Sequence, residues 1–215
     1  MSQEFIKRLL SSVILLPIFF FAIVKGYFVF NSLISIFFLI LCFEWYKISV
    51  KRIYMIPGYV FLLFSFISVY LLRNNDENDY LFLTIVILIC ILTDIGGYVF
   101  GKILKGPKLT KISPNKTYSG MIGSYILPIL ILFWVFKSNI FNLSNIIFDY
   151  KFIFFISTIS QIGDLIISYF KRLGKVKNTG KIIPGHGGLL DRVDGMIFAI
   201  PLAFLIKKLE LLTFI

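Results

Sequence analysis

Long apolar runs alternate with short polar breaks along the whole chain. Apolar residues fill roughly 9 to 24, 26 to 46, 56 to 72, 80 to 100, 118 to 136, 152 to 170 and 195 to 215. Each run is close to the ~20 residues an α-helix needs to cross a bilayer core. The pattern predicts an all-α, polytopic integral membrane protein of about seven transmembrane helices, forming one domain over residues 1–215. The first run follows Lys7 and Arg8 as in a signal peptide, but no small-residue cleavage site comes after it, so it is read as a retained helix. Lys207 and Lys208 interrupt the last run.

Composition agrees with a membrane protein. The 215 residues are 58% hydrophobic and 18% aromatic with 15% charged, whereas a soluble domain of this length needs a more polar surface. The net charge of +11 would point to nucleic acid if it lay on a soluble face, but the basic residues sit in the breaks between apolar runs. With the N-terminus inside, 16 of the 22 Lys and Arg residues fall on the cytoplasmic side. The charge therefore encodes orientation, nucleic acid is excluded as a partner, and the loops at 102–117 and 171–190 are expected in the cytoplasm. Cys42 and Cys90 lie inside apolar runs and are read as packing residues.

Carboxylates narrow the search for chemistry. Asp94, Asp164, Asp191 and Asp194 lie inside or against apolar runs, all towards the cytoplasmic side of this topology. A carboxylate at membrane depth marks a functional site by default. Glu44, in "CFEWYK", is read as an interfacial anchor beside Trp45 and Tyr46. At about 100° per residue, Gln161, Asp164, Ser168 and Lys171 share one helical stripe. Asp191 and Asp194 share a face if the last helix begins near residue 189. Asp94, Gly97, Tyr98 and Gly101 form another face, where the glycines fit close helix packing as well as a ligand.

Several carboxylates at one depth suit a hard cation such as Mg²⁺, and neighbouring Lys, Arg and glycine amides suit phosphate oxygens. Together they point to phosphoryl or nucleotidyl transfer. No Ser-His-Asp arrangement is evident, two cysteines cannot make a thiolate zinc site, and "GKILKG" lacks the P-loop pattern.

The segment from Ser168 to Asp194 resembles the phosphatidate cytidylyltransferases, also called CDP-diacylglycerol synthases. Their signature, S-x-x-K-R-x(4)-K-D followed by H-G-G-x-x-D-R-x-D, is matched by Ser168, Lys171, Arg172, Lys177, His186, Gly187, Gly188, Asp191, Arg192 and Asp194, with Pro184 and Gly185 leading into the second half. "TDIGGYVFGK", "KISPNKTYSG" and "IGDLIISYFKR" resemble further family segments, so the likeness is concentrated in residues 94–195. Asn178 stands in place of the signature aspartate, Gly97 in place of an alanine, and Ile167 where an acidic residue is common. The loss of charge at Asn178 is the departure that bears on the loop's chemistry.

The resemblance implies that phosphatidate attacks the α-phosphorus of CTP, giving CDP-diacylglycerol and pyrophosphate in phospholipid synthesis. The clustered carboxylates predict Mg²⁺ as cofactor, with Asp164 and Asp191 sharing the ion and Asp94 and Asp194 as further candidate ligands. Lys171, Arg172 and His186 join Asp164 and Asp191 as expected catalytic residues. Ser113, Lys116, Thr117, Ser168, Lys177, Gly185, Gly187, Gly188 and Arg192 are expected to bind substrate. A phosphate monoester has its second pKa near ~6, so the attacking oxygen is already charged and His186 is expected to contact a phosphate or hold the loop. The enzyme would sit in a bacterial plasma membrane with its site facing the cytoplasm, with a homodimer as a candidate assembly.

Two other readings compete. "DRVDG" opens like the CDP-alcohol phosphotransferase motif, but Phe198 and Ala199 stand where that family continues with Ala-Arg. A cation-coupled transporter could also hold aspartates at one depth beside broken helices, yet has no evident need for Lys171, Arg172, Lys175, Lys177 and Lys181 next to the site. The topology can be tested directly. Cysteines placed at Lys108 and Lys175 should resist an impermeant thiol reagent added outside intact cells and react once the cells are opened; labelling from outside would invert the orientation.

Overall fold

In a computed structural model, which describes residues 17–74, 79–110, 112–138, 149–180, 182 and 187–209, the chain is a bundle of helices. Residues 17–25 are helical and break at Gly26, whose φ of 64° reverses the backbone at a position that favours glycine. Then follow α1 (Tyr27–Ser49), α2 (Met55–Asn74), α3 (Asp79–Leu104), α4 (Tyr118–Ser138), α5 (Tyr150–Leu173), the single turn α6 (Leu190–Val193) and α7 (Met196–Lys208).

Five helices, α1 to α5, are long and apolar enough to cross a membrane. The chain is thus a multi-pass membrane protein with five such helices among its described residues, against about seven expected. Helix α7 has 13 residues, a length of about 20 Å at about 1.5 Å per residue, and ends at the lysine pair that interrupts the last apolar run. The remainder of the first and last runs falls outside the described residues.

Helix α3 is central, packed against α2, α4, α5 and α7. Its Leu83, Val86, Ile87 and Ile89 are buried against Leu132, Ile156 and Ala203. Phe43, Ile67, Leu130, Trp134 and Phe155 lie on the outer surface. Such an apolar exterior fits lipid, which exerts no hydrophobic drive to hide these side chains.

Where no hydrophobic drive holds helices together, close backbone approach must do so, and small residues supply it. A Cβ added at Gly97 would lie 2.7 Å from Ser124 Oγ, and one at Gly120 would lie 2.7 Å from the Gly97 carbonyl. Gly97 and Gly101 are therefore packing residues of the α3–α4 contact. Across α5, a Cβ at Gly163 would lie 3.0 Å from the Asp194 carbonyl. The absence of that Cβ lets the start of α7 come against α5 beside Asp164.

The loop between α3 and α4 closes as a small hairpin. Lys108 and Thr117 form an antiparallel bridge, Leu109 N donates to Lys116 O at 2.8 Å, and Tyr118 N donates to Pro107 O at 3.1 Å. Thr117 Oγ1 then accepts from Gly120 N at 3.1 Å, satisfying one of the free amides at the start of α4.

The α3–α4 contact makes a stability prediction. A Cβ at Gly123 would meet the Phe100 side chain and lie 2.8 Å from Gly96 O. Gly123→Val should cost about 1–3 kcal/mol and lower the melting temperature in detergent by several degrees. Ile122→Val, at a neighbouring exposed position, should leave it unchanged. Equal melting of Gly123→Val and wild type would show that the two helices are not in this close contact.

Candidate active site

Helix α5 carries the polar stripe expected from its sequence. Asp164, Ser168 and Lys171 face one side, with Ser168 Oγ donating to Asp164 Oδ1 at 3.3 Å. The chain from Leu190 runs back along this stripe, because Asp194 and Gly195 keep helical backbone angles between α6 and α7. Two rungs join α5 to that segment. Lys171 Nζ donates to Asp191 Oδ1 at 2.8 Å, and the Asp164 and Asp194 carboxyl groups lie within electrostatic range of each other. The seven-residue step from Asp164 to Lys171 is two helical turns, and the three-residue step from Asp191 to Asp194 is nearly one. Asp191 and Asp194 thus share a face as the spacing predicts.

The structure pairs Asp164 with Asp194, not with Asp191. Both Asp191 oxygens are already engaged: Oδ1 by Lys171, and Oδ2 by Thr179 N at 2.9 Å and Gly188 N at 3.1 Å. Its side chain is only 8% exposed. As held here, Asp191 counters the buried Lys171 and ties Thr179 and Gly188 together. Asp164 instead meets Lys116 from the 105–117 hairpin, Nζ to Oδ2 at 2.5 Å. Asp94 is exposed on α3 and lies within electrostatic range of Asp164, Lys116 and Arg192.

The acidic group is therefore Asp94, Asp164 and Asp194, ringed by Lys116, Lys171 and Arg192. Two ionised carboxylates in contact repel unless a cation or a shared proton lies between them. Oxygen donors of this kind fit a hard divalent ion such as Mg²⁺ in type. Among the described residues, though, no three His, Cys, Asp or Glu side chains converge closely enough to enclose a metal. Lys116 neutralises Asp164 in the arrangement seen.

The other expected residues fall into groups. Ser113 and Thr117 have structural duties: the Ser113 carbonyl accepts from Lys116 N at 3.1 Å in a turn, and Thr117 caps α4. Arg172 is exposed and links the two loops, approaching Ile112 O at 3.5 Å and Val176 O at 3.4 Å. Lys177 and Asn178 are exposed, and Gly187 has φ 91°, a left-handed angle that favours glycine. Gly188 is needed for space, because a Cβ there would lie 2.6 Å from Glu44 Oε2, and its amide is bonded to Asp191. His186 and Gly185 lie outside the described residues. Ile167 is buried with Trp45 and Leu190, so no acidic side chain has a place there.

The sequence reading missed Glu44. It is fully buried, not interfacial, and Trp45 beside it is 3% exposed. Glu44 accepts hydrogen bonds from Thr179 Oγ1 at 2.9 Å, Leu189 N at 2.9 Å and Leu190 N at 2.7 Å. The available signal was the one that singled out the aspartates, a carboxylate inside an apolar run; the adjacent aromatic residues obscured it.

Residues 50–209 match the model of the Cytidylyltransferase family. The chain is 33% identical over 216 residues to the phosphatidate cytidylyltransferase of Rickettsia felis, covering 96% of this chain and 94% of that protein. The Rickettsia bellii phosphatidate cytidylyltransferase is 35% identical, over 95% of this chain and 91% of that protein. The Staphylococcus haemolyticus protein of the same name is 41% identical over 64% of this chain and 52% of its own length.

The Lys171–Asp191 pair has a measurable consequence. Its side chains are 10% and 8% exposed, and removing one partner of a buried pair costs about 3–5 kcal/mol. Asp191→Asn and Lys171→Met should each lower the melting temperature, and the double variant should be no less stable than the worse single one. Losses that simply add would show that the two groups are not coupled.

Proposed function

The chain belongs to the cytidylyltransferase family, and we infer that it transfers the cytidylyl group of CTP to phosphatidate, giving CDP-diacylglycerol and pyrophosphate. The observation that carries this reading is the meeting of an acidic group, Asp94, Asp164 and Asp194, with Lys116, Lys171 and Arg192 at one end of an apolar helix bundle. One substrate is a lipid and the other a water-soluble polyanion, so the reaction needs a place where membrane and water are both within reach.

The difficulty lies in bringing two anions together, not in deprotonating the nucleophile. The phosphatidate oxygen is ionised at neutral pH, as for any phosphate monoester with a second pKa near ~6. Exposed Lys177, with Arg172 and Lys175 close by in the chain, attracts the triphosphate and lowers the repulsion between the substrates. Lys116 can pass from Asp164 to a phosphate oxygen when substrate supplies a competing anion. The chain's task is then positioning and electrostatic stabilisation of the in-line displacement.

Asp164 and Asp194, with Asp94 nearby, are the residues that would hold Mg²⁺. The ion would neutralise charge on the transferring phosphoryl group. Asp191, pinned by Lys171 and two amides, keeps the loop in shape instead. We place the loop end of the bundle in the cytoplasm of a bacterial plasma membrane, from the distribution of basic residues. No observation favours ion transport.

Purified protein with Mg²⁺, CTP and phosphatidate should form CDP-diacylglycerol and pyrophosphate in equal amounts; no CTP-dependent product would overturn the reading. Asp164→Asn and Asp194→Asn should each reduce turnover by at least ~100-fold, about 2.7 kcal/mol of barrier. The double variant should be no worse than either alone, as for residues acting as a unit. If the two losses multiply, or if either variant retains wild-type rates at saturating Mg²⁺, the acidic pair is not the ion's site.

A further inference from the structure

Glu44 belongs to α1 and lies before the stretch matched by the family model, which begins at residue 50. Its carboxylate nevertheless reaches Thr179, Leu189 and Leu190. One oxygen accepts from Leu189 N at 2.9 Å, while the other accepts from Leu190 N at 2.7 Å and Thr179 Oγ1 at 2.9 Å. It thereby satisfies amides at the start of the segment that bears Asp191 and Arg192. Asp191 holds the same two stretches through Thr179 N and Gly188 N. Glu44 and Asp191 thus hold Thr179 against Gly188, Leu189 and Leu190. The fit is tight: a Cβ at Gly180 would lie 2.5 Å from Glu44 Oε1, and one at Gly188 would lie 2.7 Å from it.

The position of Glu44 is itself fixed. Trp45 Nε1 donates to Met55 O at 3.0 Å, its ring meets Phe170 edge-on at 5.2 Å, and Tyr54 OH donates to Ile48 O at 3.1 Å. The end of α1 is thereby locked to the start of α2 and the end of α5.

We propose that Glu44 is a positioning residue for the CTP half of the reaction, fixing the distance between the exposed stretch that carries Lys177 and the buried turn that carries Asp191. This rests on the cytidylyl-transfer reading above. Lys177 and Asn178 are exposed whereas Thr179 is buried, so the clamp sits directly behind the face a water-soluble polyanion would meet. Asp164 on α5 is held by other contacts, to Lys116 and Ser168. Loosening the clamp therefore acts on CTP and spares phosphatidate.

Glu44→Gln tests this, since either orientation of the amide sets an NH₂ against a backbone N–H of Leu189 or Leu190. Thr179→Val removes one hydrogen bond at nearly constant volume. Initial rates in detergent micelles containing phosphatidate should show the KM for CTP raised at least ~10-fold in Glu44→Gln and ~3-fold in Thr179→Val, with the KM for phosphatidate within ~2-fold of wild type. Amide hydrogen exchange over 177–190 should quicken in both, while exchange in α3 stays as in wild type. A folded Glu44→Gln with a wild-type KM for CTP, or one whose two KM values rise together, overturns the proposal. If Glu44→Gln does not fold, Thr179→Val decides: quickened exchange over 177–190 with an unchanged KM for CTP overturns it equally. A wild-type protein inert towards CTP overturns the functional reading and this inference with it, whereas an active wild type beside an equally active Glu44→Gln overturns the inference alone.

Discussion

A carboxylate taken out of water costs several kcal/mol unless cations or N–H groups replace its hydration, and this chain buries Glu44, Asp191 and Asp194 at one end of its bundle. Each burial dictates neighbouring structure. Asp191 requires Lys171, which sets the register of the segment after residue 189 against α5. Glu44 requires amides, found at the start of α6, which ties α1 to a loop distant in sequence. Asp164 draws Lys116 inward and so folds the 105–117 hairpin over the end of α5.

The helices bring the charges within reach by a different means. In lipid, apolar side chains gain little by facing each other, so the contacts that matter are those where backbones nearly touch. Gly96, Gly97, Gly120 and Gly123 join α3 to α4, and Gly163 and Gly195 let α7 lie against α5. These approaches place Asp94, Lys116, Asp164 and Asp194, from separate parts of the chain, in one group. A methyl group at Gly163 would press on the Asp194 carbonyl at 3.0 Å and move the second carboxylate away from the first.

The site consequently divides into held and open parts. Asp191 and Glu44 have all their oxygens engaged and act as framework. Asp94 is exposed, and Asp164 and Lys116 are each 26% exposed in the side chain, so these groups can exchange partners when substrate arrives. Residue type alone does not separate the two sets, since aspartates occur in both. What separates them is the number of donors that folding delivers to each carboxylate.

Much was legible in the sequence for local reasons. Helical spans follow from the length of apolar runs, because a bilayer core has a fixed thickness, and five of the expected helices have that length among the described residues. The stripe of Asp164, Ser168 and Lys171 follows from helical periodicity, and the family was carried by residues spaced over a short segment. Pairing was not legible. Asp191 and Asp194 are three residues apart and both far from Asp164 in the sequence, and only the antiparallel approach of α5 and the 190–208 segment sets Asp194 against Asp164 and Asp191 against Lys171. Glu44 lies 135 residues from Thr179, so no local pattern could join them. The sequence by itself determined which groups are too costly to leave unpaired in a membrane protein; the tertiary structure decided which partner each receives, because that depends on how closely glycine-lined helices approach.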